Sequence, residues 1–164
     1  MPWTPKKKPR QSRLAIRTAC FMGVIGTATL LEAANLEQLT RLLVPAFMVS
    51  SYTAVCTARD PSFLSGTAIR QDDIQPYVRH VREEVFADLP VNERNEILLT
   101  AANTAKQVGI REMRNFGENS NGSENERLGL WCKKSAKPFV VTIIESHYAK
   151  HSEFEQRVRD AKRL

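Results

Sequence analysis

The sequence has no glycine-rich phosphate loop. Neither GxxxxGK followed by Ser or Thr nor GxGxxG occurs, which excludes the usual main-chain cradle for a nucleotide. HExxH is missing, and with it the helical zinc-hydrolase arrangement. GxSxG is missing as well, so no strand-to-helix nucleophile elbow is expected. Cysteine is scarce. Cys20, Cys56 and Cys132 form an odd count at wide spacing, which suits neither a disulfide framework nor a C-x-x-C metal site. Two of them fall within apolar runs, where thiols act as small hydrophobes, and a reducing compartment is the expectation.

Net charge is also absent from most of the chain. The formal total is +6, yet Lys6, Lys7, Lys8, Arg10, Arg13 and Arg17 account for all of it before any acid appears. Residues 59–164 hold 17 basic and 16 acidic side chains, so the body is close to neutral. A domain gripping a phosphate backbone would spread cations over its folded surface. A basic tail against an apolar run is instead the flank that keeps a membrane segment's start in the cytoplasm. The alternative is a solvated arm that contacts RNA or DNA, with Trp3 beside the tail and Trp131 near Lys133 and Lys134 as stacking aromatics.

What is present is helix-forming. Residues 1–13, with three prolines among cations, read as an extended tail. Two apolar runs follow, Leu14 to Leu31 and Leu42 to Ala58, joined by EAANLEQLTR. Each is near the roughly 17-residue minimum for crossing a hydrocarbon core. The expectation for residues 14–58 is an apolar helical hairpin acting as a membrane anchor, both termini cytoplasmic; its alternative is two buried helices of a soluble, cytoplasmic bundle. A cleaved signal peptide fits the basic start and apolar middle but lacks a small-x-small exit at Ala33 or Ala34.

Residues 59–70 carry Pro61 and Gly66 and read as a linker to a helical interaction domain over 71–164. Ile74, Tyr77, Val78, Val81, Val85 and Leu89 recur at three-and-four spacing along one face. Asp72 and Asp73 suit the positive end of that helix, and Pro76 is tolerable only in its first turn. Pro90 ends it. A second helix is predicted from Glu93 to about Phe116, capped by Asn92 and stopped by Gly117. Asn121-Gly122-Ser123 matches a glycosylation acceptor but lies in a polar loop on the cytoplasmic side of the expected topology.

LGLWC and FVVTII, near 128–144, predict a short β-hairpin, since β-branched residues favour a pleated surface; a backward extension of the last helix is the alternative. From Ile144 onward, Ile144, His147, His151, Phe154, Val158 and Ala161 form an a/d seam for docking a partner helix.

Chemistry is thin. His147 and His151, four apart, could take a metal with His80 or Glu145, but the bland alternative is packing, and no metal or cofactor is assigned. Cys132 sits beside Lys133 and Lys134 without a candidate base. Adjacent carboxylates Asp72-Asp73 and Glu83-Glu84 point apart on a helix and cannot converge on one atom. The resulting expectation is a mainly α, non-catalytic, membrane-anchored adaptor or assembly subunit with protein and lipid partners and no small-molecule substrate. The alternative is a soluble helical protein binding nucleic acid through its tail. A small enzyme using Cys132 or the histidine pair comes third.

Overall fold

The computed structural model describes the backbone of residues 25–163 and the side chains of residues 35–163; the basic tail with Lys6, Lys7, Lys8, Arg10, Arg13 and Arg17 lies outside them. Six α-helices account for nearly all of the described chain: α1 Ile25–Arg59, α2 Gln71–Phe86, α3 Val91–Glu118, α4 Glu124–Trp131, α5 Lys137–Ala149 and α6 His151–Arg163. A π-helical turn, Cys132–Ala136, joins α4 to α5.

α1 is the axis of the bundle, packing against α2, α3, α5 and α6. Leu39, Leu43, Ala46, Val49 and Cys56 are essentially sealed from solvent, and their three-and-four spacing explains why one helix can serve several neighbours. The turn expected between the two apolar runs is itself helical. Glu, Ala, Leu, Gln and Arg in that segment are strong helix formers with no glycine or proline to break the run. The second run therefore belongs to one 35-residue helix rather than to the return limb of a hairpin, while residues 14–24 of the first run fall outside the described part. Pro45 is accommodated inside it.

Residues 59–70 fold back as compact turns rather than a free linker. Phe63 and Leu64 are buried, and the Thr67 hydroxyl donates to the Leu64 carbonyl at 2.8 Å. α2 buries Ile74, Tyr77, Val78, Val81 and Val85, the stripe read from the sequence. The Asp73 carboxylate accepts from the Arg70 N–H at 2.7 Å and closes its first turn. α3 buries Ile97, Ala101, Ala105 and Gly109, a narrow small-residue face that lets α1 approach. It begins at Val91, so Asn92 lies inside the helix rather than capping it.

The β-hairpin expected near 128–144 is helical instead, and no strand occurs among the described residues. Val140 and Ile144, four apart, are both fully buried in the core, and that tertiary burial outweighs the strand preference of β-branched residues. Pro138 falls at the start of α5, directly after the π-helical turn.

The reading of the cysteines is overturned as well. Cys56 of α1 and Cys132 of the π-helical turn form a disulfide, with Cα atoms 5.6 Å apart and a sequence separation of 76. Sequence spacing carries no information about such a pair, because only the packing of α1 beside the π-turn brings the thiols together. Closing a loop of that length stabilises a fold by about 4 kcal/mol on the chain-entropy account.

Candidate metal centre

α2, α5 and α6 meet at one end of the bundle, and each brings polar side chains to the junction. α2 supplies His80 and Glu84, one turn apart on the face next to its buried stripe. α5 supplies His147 in its last turn, and α6 begins with His151. A break at Lys150 (φ −124°, ψ 34°) separates α5 from α6, so the two later histidines sit on different helices despite their four-residue spacing.

One ligand atom from each of His80, Glu84, His147 and His151 lies within 4.8 Å of all the others. Ring centroids are 5.1 Å apart for His80 and His151, and 5.5 Å for each of the other two histidine pairs. The Glu84 Oε1 atom stands 3.4 Å from His80 Nε2 and 3.2 Å from His151 Nε2. Glu155 approaches His151 Nε2 from α6 itself at 3.4 Å and is in turn 3.5 Å from Arg159. Tyr77 and Phe154 pack edge-on against the His147 ring at 5.3 and 4.9 Å, giving the cluster an aromatic floor.

His147 is 8% exposed, while the other three are half-buried. Three donor atoms there are sealed and unpartnered: Glu84 Oε2, His147 Nε2 and His151 Nδ1. Buried polar atoms are nearly always hydrogen-bonded, so three orphans in one cluster point to a missing partner. Burial, reinforced by the neighbouring His80 and His151, pushes the His147 imidazolium down to about 4, leaving it neutral and able to coordinate. Burial also raises the Glu84 carboxyl, against the opposing pull of His80 and His151.

Three imidazoles and one carboxylate suit a divalent transition ion such as zinc, rather than calcium or magnesium, which prefer all-oxygen shells. With metal–ligand bonds of about 2.0–2.1 Å, tetrahedral donors lie roughly 3.3 Å apart. The cluster must therefore close by up to about 1.5 Å from its 4.8 Å spread, and the half-exposed His80 and His151 rings are the side chains with room to move.

Of the partners weighed from sequence for the histidine pair, His80 joins it and Glu145 does not. Glu145, two residues before His147, is exposed on another face. Glu84 is the fourth donor, one that is absent from the sequence expectation. Its signal was available, because His80 and Glu84 repeat the four-residue donor spacing of His147 and His151. Glu83 is exposed while Glu84 turns inward, so those adjacent carboxylates do point apart. Ile144, Val158 and Ala161 of the expected docking seam are buried within the chain, with Phe154 partly buried against the same core. Cys132 is held in its disulfide and is not a free nucleophile. Ser123 of the glycosylation match caps α4, accepting from the Glu126 N–H at 3.3 Å.

No family model, curated protein or solved structure matches this chain.

Proposed function

We propose that the chain is a non-catalytic metal-binding protein that holds one divalent transition ion between His80, Glu84, His147 and His151. The observation that carries this reading is the convergence of four donors from three helices with buried, unpartnered ligand atoms among them. Four protein donors complete a tetrahedral shell and leave no position for a substrate, which favours storage, sensing or structure over catalysis. Equilibrium dialysis and calorimetry of the metal-stripped protein with zinc(II) or cobalt(II) test it. One ion should bind per chain, and the cobalt form should show the intense visible bands of a tetrahedral centre. Equal binding by a folded Glu84→Ala/His147→Ala variant would refute it.

A second reading concerns location. The stretch Asn35–Arg59 is long and apolar enough to cross a membrane, yet half of it is buried inside the bundle. From Leu39 onward α1 is committed to that core. We propose that membrane attachment rests on the earlier run, residues 14–31, with the six preceding and embedded cations on the cytoplasmic side. The disulfide supports placing the folded body on the opposite, oxidising side rather than both termini in the cytoplasm. A metal-bearing body tethered in this way fits an assembly or adaptor role among protein partners. Alkaline carbonate should leave the protein with the membrane pellet, and protease added outside intact cells should digest the body. Release by carbonate, or full protection from protease, overturns this reading.

A further inference from the structure

Resting on the metal-binding reading, we infer that the ion is the staple that fixes the C-terminal helix α6 to α2, so that metal loading is read out as ordering of residues 151–163. The donors divide unequally among the elements. α2 provides His80 and Glu84 and α5 provides His147, whereas α6 provides only His151, its first residue. Beyond that residue α6 packs on α1, with Phe154 partly buried against the core. It is a short polar helix that buries only Val158 and Ala161 fully, and it is jointed to α5 at Lys150. Its far end is tied through Lys162, whose Nζ donates to the Glu84 and Ala87 carbonyls at 3.1 and 2.6 Å. That ammonium closes the free carbonyl end of α2 without holding the start of α6. The start is held by Phe154, 4.9 Å from the His147 ring, and by His151, whose Nε2 lies between the carboxylates of Glu84 and Glu155 while Nδ1 has no partner.

Binding that requires α6 in place must stabilise the docked helix by linkage. Saturating zinc(II) reduces the open population by the ratio of its affinities for the docked and open forms, at most about 100-fold at 100 times its dissociation constant. A His151→Ala chain keeps three donors on α2 and α5, and binds zinc more weakly but still measurably. Its ion no longer reaches α6.

The experiment is hydrogen–deuterium exchange of the full chain, read by peptide, in chelator and in saturating zinc(II), with zinc binding measured separately by calorimetry. Wild type should show exchange over 151–163 slowed by up to about 100-fold, with the α3 interior unchanged. His151→Ala should bind zinc yet leave exchange in α6 unaltered. Zinc binding without slowed exchange in wild-type α6 overturns the staple and leaves the metal reading intact. Equal slowing in His151→Ala likewise overturns it. Absence of zinc binding by wild type overturns both.

Discussion

The rings of His80 and His151 lie with centroids 5.1 Å apart although α3, α4 and α5 intervene between them along the chain. Glu84 faces both, and Glu155 shares His151 Nε2 with it at 3.4 Å, leaving Nδ1 as the free ring nitrogen. Carboxylates that orient a ligating imidazole commonly govern 10–100-fold of metal affinity. Glu155→Gln should therefore weaken zinc(II) binding by roughly 10- to 100-fold while the circular-dichroism spectrum stays unchanged. Unchanged affinity would remove Glu155 from any part in the centre.

Opening the Cys56–Cys132 bridge tests the crosslink and its compartment together. Cys56→Ser/Cys132→Ser should lose about 2–5 kcal/mol in urea unfolding. Protein isolated under alkylation should show both thiols blocked until a reductant is added. Free labelling of Cys56 and Cys132 in unreduced, denatured protein would disprove the pairing.

Two glycines should respond in opposite ways to alanine. A Cβ at Gly109 would meet Tyr52 Cε1 at 3.1 Å. That ring cannot give way, since it packs on Trp131 and Phe139 and its hydroxyl donates to Glu112 at 2.5 Å. Gly109→Ala should cost about 1–3 kcal/mol despite its better helix propensity. At Gly129 the obstacle is the flexible Arg59 guanidinium, 2.8 Å from the added carbon. Gly129→Ala should be neutral or stabilising by up to about 1 kcal/mol. Thermal unfolding of both variants decides whether the close approach of Tyr52 matters as stated.

α4 carries a pH-dependent cap. The Glu126 carboxylate accepts from the Ser123 N–H and hydroxyl, each at 2.8 Å, and these bonds hold its pKa below the ordinary carboxylate range. A folded pKa below the unfolded one means the contribution is complete above the unfolded value and fades as pH falls through the folded value. The stability gap between wild type and Ser123→Ala should therefore be larger at pH 7 than in acid at about pH 3. A gap that widens in acid would contradict the hydrogen-bond account.

The parts legible in the sequence were those set by local periodicity. The α2 stripe from Ile74 to Val85 is buried as read, and Pro90 separates α2 from α3. The small face of α3 through Ile97, Ala101 and Ala105 also follows from spacing alone. Val140 to Ile144 misled because a short β-branched run fits strand and buried helix equally, and only the core around α1 decides. The disulfide and Glu84 were hidden for a related reason. Each depends on a contact between distant segments, which no window along the chain contains.

The sulfur bridge also fixes how the folded chain would carry tension. Residues 57–131, including α2 and α3, form a closed covalent ring between Cys56 and Cys132. A pull on the two ends runs along α1, across the bridge and straight into α5 and α6, leaving the ring slack. His80 and Glu84 belong to the slack ring, whereas His147 and His151 belong to the taut line. Traction on this molecule is thus directed at the seam between the His80–Glu84 and His147–His151 pairs.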